Sequence, residues 1–363
     1  MSAEPSSAKS RIASLDQFRG YTVAGMILVN FIGGYQVVHH LLKHHNTYCS
    51  YADTIMPQFF FAVGFAFRLT YLRRLQTVGR AEAQRAVAAR ALGLILLGFV
   101  MYHLDGEYKT WEELKQLGFQ GFLANAFRRE LCQTLVQIAL TSIWILPVIA
   151  ASARVRVLYL VVSAALHLGL SWWFYLDFAW KTPVIDGGWL GILSWAIPTL
   201  VGTLAYDAVA ARDDHERGRA VPSLLVWSVV LMAVGYGLSC LGGELAAPPF
   251  SPPAAGRQVD LWTMSQRTGS VSYLTFSAGF SLAVYALFVL FCDQWGVTVG
   301  LFRTFGTNAL AAYVIHPMVS LAVRPYLPDD APLWYVIAGF LVYFGICYLL
   351  IRYLEKNKLY LKL

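Results

Sequence analysis

Four of the eight histidines in this 363-residue chain, His39, His40, His44 and His45, fall within seven positions. An imidazole titrates near neutral pH, so it can take up and return a proton or briefly carry an acyl group. His44 and His45 therefore stand first among the groups able to do chemistry. Asp53, at the start of the next apolar stretch, is placed to orient such a ring and fix its tautomer. Asn30 precedes the loop. A buried amide must find hydrogen-bond partners, so Asn30 serves either to join helices or to donate to the oxygen of a reacting carbonyl. The histidines come with no cysteine or well-spaced carboxylate, so zinc is not expected.

Further candidates lie along the chain. Asp16 and Arg19 share one helix face. They form either a local ion pair or an arginine presented to a phosphate-bearing ligand. Ser14 with Gln17 fits a capping box and places a helix start at Leu15. His316 ends an apolar run beside Pro317, whose ring frees a backbone carbonyl, and Asn308 lies about 12 Å deeper on the same helix. Trp262 introduces another apolar stretch in the position of an interfacial anchor. Asp186 precedes Gly187 and Gly188, which permit close backbone approach.

These residues must be positioned by membrane helices. The chain is 57% hydrophobic and 13% charged, whereas a soluble domain carries about a quarter charged residues. The fold class is all-α, a polytopic helix bundle forming one domain over 1–363 with a polar tail at 1–13. Stretches of about 20 apolar residues give about ten spans, near 17–38, 53–72, 88–104, 130–150, 156–174, 188–209, 221–241, 270–292, 302–323 and 333–352. Basic residues crowd alternate connections, so both termini are expected in the cytoplasm and the histidine loop outside. The 105–129 connection holds an expected short interfacial helix, and 242–269, with four prolines, an irregular segment over the outer mouth. The net charge of +7 is dispersed at helix ends and forms no nucleic-acid groove. The five scattered cysteines make neither a disulfide framework nor a metal site. A transporter or flippase, the competing class, would show paired broken helices with charges facing at the midplane, and no such charge pair is present.

Ser14-Leu15-Asp16-Gln17-Phe18-Arg19-Gly20 followed by Ile27-Leu28-Val29-Asn30 resembles the opening of the heparan-alpha-glucosaminide N-acetyltransferase family, shared with a wider superfamily of transmembrane acyltransferases. The similarity continues at Ala52–Pro57 with Phe59–Phe61 and Gly64, at Gly187–Ser194, at Leu261–Ser265, and at Gly306–Leu310 with Tyr313 and His316. It thus covers nearly the whole chain in order. The resemblance implies a bacterial inner-membrane enzyme moving an acetyl or other acyl group from cytoplasmic acetyl-CoA (acyl-CoA), its co-substrate, to a sugar amine or hydroxyl on the periplasmic side. Asn30 matches the family's asparagine. His45 with Tyr48 best fits its catalytic histidine, with tyrosine replacing tryptophan, although the shortened spacing to Asp53 keeps His44 open. Leu135-Val136-Gln137-Ile138 departs from the family by lacking an arginine. On this reading Arg19, with Asp16, meets the phosphates of the donor. His45 or His44 handles the proton or the acyl group, Asp53 orients the ring and Asn30 steadies the oxyanion. His316, Asn308, Trp262 and Tyr48 complete the acceptor pocket. Membrane lipids and the glycan acceptor are the expected partners, with a homodimer permitted and no metal required.

Overall fold

A computed structural model describes residues 12–103, 110–126, 132–182, 184–210, 212, 214–242, 245–254 and 258–361. Most of the polar N-terminal tail and the edges of the 105–129 connection lie outside these residues.

The described residues form helices and connecting turns. In chain order they are α1 (Ala13–Ile32), α2 (Tyr51–Thr77), α3 (Gly79–His103), α4 (Trp111–Ala126), α5 (Thr134–Ile145), α6 (Ala153–Leu170), α7 (Leu176–Lys181), α8 (Gly191–Ala210), α9 (Val221–Ser239), α10 (Val271–Phe288), α11 (Gly300–Thr307), α12 (Ala309–Val323) and α13 (Leu333–Lys356). A π-helical turn joins α6 to α7, and α4 is the short helix expected in its connection. All ten apolar stretches are helical over most of their length. Among the described residues seven helices are long and apolar enough to cross a membrane, or eight if the bent pair α11–α12 counts as one span. The protein is a multi-pass membrane protein.

The helices divide into an inner set and an outer ring. Buried residues make up 67% of the apolar window of α2 and 83% of that of α8, but only 22% for α9 and α13. The poorly buried helices expose leucines, valines and tryptophans to what must be lipid. Lipid tails are as apolar as those side chains, so the inner helices associate through close packing rather than hydrophobic exclusion. At the α2–α8 contact a Cβ on Gly64 would lie 1.8 Å from the Thr199 carbonyl oxygen, and one on Gly202 would lie 2.0 Å from that of Phe61. Only glycine permits this approach. An ionic anchor reinforces it: Arg68 of α2 and Arg156 of α6 share the Asp207 carboxylate of α8.

The start of α1 differs from expectation. Its N-cap is Ile12, with no side-chain cap. Ser14 instead gives its backbone N–H and hydroxyl to Asp293, at 3.0 and 2.5 Å. The Gln17 amide exchanges two hydrogen bonds with the Val299 backbone. Tertiary partners have taken the groups that a local capping box would have used. A capping box does exist at α2, where the Ser50 side chain accepts from Asp53 N–H and the Asp53 carboxylate accepts from Ser50 N–H.

Candidate active site

That second box sets the site. It pins the Asp53 carboxylate at the mouth of α2, where it accepts from the Ser50 N–H at 2.9 Å and from the His45 backbone N–H at 3.3 Å. The chain between α1 and α2 is folded back on itself, with the Ser50 hydroxyl donating to the Lys43 carbonyl at 2.7 Å. The proline-rich segment covers it, Phe250 N–H donating to Cys49 O.

This fold delivers His44 to the carboxylate. His44 Nδ1 lies 3.0 Å from Asp53 Oδ1, and Nε2 lies 3.5 Å from Oδ1 of Asn30, which stands near the end of α1 and is exposed rather than buried. A carboxylate only accepts, so Nδ1 carries the shared proton; Nε2 keeps its lone pair in the neutral ring and donates to Asn30 Oδ1 in the imidazolium. Asn30 completes the trio with an amide whose N–H₂ can face either Nε2 or a bound oxygen. Its own backbone carbonyl is held by Arg324 at 2.8 Å. The His44 side chain is 45% accessible, and that access opens onto a cavity rather than a flat surface. Burial works against its protonation. The Asp53 hydrogen bond and charge, then Asp186 and Gln266, outweigh that and raise its pKa.

The cavity, here the histidine chamber, holds about 190 Å³ and is lined by His44, Asn30, Asp186, Gln266, Thr134 and Tyr102 over an apolar floor of Met26, Ile55 and Phe59. A larger chamber of about 500 Å³ lies toward the opposite ends of α1 and α2 and is lined by Arg19, Arg74, Arg90, Asn308 and Tyr360. Phe59 of α2 and Tyr313 of α12 line both. The Tyr313 hydroxyl is hydrogen-bonded to that of Tyr102. The two chambers thus share two side chains of their walls.

The expected site residues do not all converge. His45 turns its ring away: Nε2 meets the His40 carbonyl at 2.9 Å and the ring stacks on Tyr48 at 4.2 Å. Its tie to Asp53 is through the backbone, so the ring that the carboxylate orients is that of His44. Tyr48 lines a separate small pocket with Ser239 and Met264. Trp262 lines neither chamber, and its backbone bonds Asp260 and Ser272. His316 is buried outside both. Its Nδ1 lies 2.7 Å from the Tyr313 carbonyl, the carbonyl that Pro317, four residues on, leaves without a helical donor. The histidine repairs the helix there. Asn308 sits at the 95° bend between α11 and α12 and belongs to the arginine chamber, where its amide clasps the C-terminal backbone at Leu359 O (2.8 Å) and Leu361 N (3.1 Å). Asp16 and Arg19 meet at 4.0 Å within one turn, and Arg19 also lines the arginine chamber. Among the described residues no group of three or more His, Cys, Asp or Glu side chains could hold a metal ion.

Of three further lining residues, Gln266 and Tyr102 carry no signal in the sequence, and Asp186 only that of its following glycines. Asp186 lies in the turn before α8, Gln266 in the turn before α10, and Tyr102 near the end of α3. Asp186 is 3% exposed, and burial pushes its carboxyl up to about 6 against hydrogen bonds from Gln266 and Thr134 and the influence of His44.

Fold and site together define a membrane-embedded protein with an Asp–His–Asn group at one end of its bundle and an arginine-lined chamber at the other. The Acyltransferase domain family matches residues 12–352, and the chain belongs to that family. It is a membrane acyltransferase. A comparison with curated proteins finds no match.

Proposed function

We propose that the protein transfers an acetyl or other acyl group from cytoplasmic acyl-CoA to a sugar amine or hydroxyl on the periplasmic side of a bacterial inner membrane. The observation that carries this reading is the pair of chambers sharing Phe59 and Tyr313. One offers three guanidinium groups suited to phosphates, and the other presents His44 with its carboxylate and amide. A phosphorylated carrier held by Arg19, Arg74 and Arg90 would pass its thioester between the two rings to His44. The basic connections favour the arginine end as the cytoplasmic one, and the resemblance to the heparan-alpha-glucosaminide N-acetyltransferases favours acetyl as the group moved.

The chemistry follows from the tautomer. His44 Nε2 takes the proton of the acceptor as its nitrogen or oxygen attacks the thioester carbon. The new C–N or C–O bond forms, the oxyanion rests on the Asn30 amide, and Asp53 steadies the imidazolium. As the C–S bond breaks, the departing sulfur receives the proton from Nε2 and leaves as free thiol. Proteoliposomes supplied with acetyl-CoA on the arginine side and amino or neutral sugars on the other test the proposal. Free thiol should appear only when both are present. Sugar movement across the bilayer with no thiol released would mark a transporter and end the reading.

A further inference from the structure

We infer that Asp186 is a positioning residue for His44, a second buried carboxylate in the wall of the same chamber that acts on the imidazole independently of Asp53. The inference deepens the acyl-transfer reading and rests on it for the role of His44.

The backbone supplies the first observation. Asp186 has φ 55°, and Gly187 and Gly188 follow at 77° and 54°. A left-handed aspartate is uncommon and persists only when its surroundings over-determine it. They do so here. The Asp186 carbonyl accepts the Trp195 indole N–H at 2.7 Å, and the Gly187 carbonyl accepts the Tyr175 hydroxyl at 2.7 Å. Gly187 N–H donates to Arg267 O, and the Arg267 guanidinium grips the carbonyls of Ala179, Trp180 and Thr182. Four segments of chain hold one side chain in the wall of the histidine chamber.

The side chain is the second observation. Its Oδ1 accepts from Gln266 Nε2 at 2.8 Å, and its Oδ2 from the Thr134 hydroxyl at 3.4 Å. Among the described residues no lysine or arginine pairs with it. Burying a carboxylate without a fixed cation is costly. Asparagine would take the left-handed conformation at least as readily and keep a hydrogen bond to Gln266 at no such cost. What aspartate adds at this position is its charge. The group in the chamber that can answer that charge is His44, which lines the same cavity as Asp186 and Gln266. The remaining titratable neighbours are Asp53 on α2, which holds Nδ1, and Tyr102, Tyr313 and Tyr273 on α3, α12 and α10, phenols that are uncharged near neutral pH. Asp186 adds to the pull of Asp53 on the His44 proton. When His44 takes the acceptor's proton, the imidazolium would be held by two carboxylates from different elements, which keeps the ring in the chamber until the thiol leaves.

The test is the pH profile of kcat/KM for acyl transfer by the purified full-length protein, with a parallel NMR titration of the histidine side chains that needs no turnover. The wild type should lose rate at low pH as Nε2 becomes protonated. Asp186→Asn should move that acid limb, and the His44 titration, to lower pH. Gln266→Ala, which removes the amide donor that favours the Asp186 carboxylate, should move both the same way. If both variants leave limb and titration where they were, the inference is overturned even if the rate falls, because lost folding lowers rate without moving a limb. A wild type that releases no thiol defeats the acyl-transfer reading instead, and the titration then decides on the coupling alone.

Discussion

His44 and His45 are adjacent in sequence and opposite in role, so alanine at each gives the most direct test of the site. Removing the His45 ring takes away its stack on Tyr48 at 4.2 Å, worth about 0.5–1.5 kcal/mol. It also takes away the bond to the His40 carbonyl at 2.9 Å, worth about 0.5–1.5 kcal/mol. The loss is therefore in stability, on the order of 1–3 kcal/mol. The Asp53 contact survives because it is made by the backbone N–H. Removing the His44 ring takes away its hydrogen bond to the buried Asp53 carboxylate at 3.0 Å, worth about 0.5–1.5 kcal/mol, and deletes the proton acceptor. A positioned general base contributes about 10²–10⁴-fold, or roughly 3–5 kcal/mol of barrier. Thiol release from acetyl-CoA in the presence of an amino sugar, with a thermal unfolding scan of each variant, separates the two effects. His44→Ala should lose at least about 100-fold in rate with only a small shift of its unfolding midpoint, while His45→Ala should melt earlier and turn over nearly normally. The reverse pattern, with His45→Ala well folded and inactive, would refute the assignment.

Three further outcomes follow from the same geometry. Arg74→Gln and Arg90→Gln should each raise KM for acyl-CoA by roughly tenfold, the worth of about one charge-assisted hydrogen bond, and leave KM for the acceptor unchanged; steady-state kinetics with each substrate varied in turn decides this. Asp186 is protonated more readily in the folded chain, at about 6 against 3.8, so the native state binds the extra proton between these values and stability declines as pH rises through them. Asp186→Asn removes that penalty, worth at most about 3 kcal/mol, and should raise the unfolding midpoint relative to wild type at pH 8 but not at pH 4. Gly64→Ala forces a methyl group to 1.8 Å from the Thr199 carbonyl and should cost about 1–3 kcal/mol or more, read as a lower unfolding midpoint and a smaller folded yield.

The sequence alone determined that this is a helical membrane protein and where its apolar segments run, and it singled out the loop between α1 and α2 as the candidate site. Composition and segment length carry that information locally, because lipid leaves a chain few structures that satisfy its backbone. Asn30 and Asp53 were legible for a similar reason, as polar groups at the ends of apolar helices. The tertiary structure decided which imidazole meets Asp53. Two neighbouring loop residues point in different directions, and the choice depends on the bonds of Ser50 to Lys43 and of His45 to His40, which have no signature in spacing. It also separated His316 and Asn308 from the histidine chamber. Their depth along a helix could be counted, but the bend at Asn308 and the proline-freed carbonyl at Tyr313 could not. Asp186 and Gln266 enter the site from turns far apart in the chain, and the convergence of distant turns on one cavity is fixed only when the helices pack.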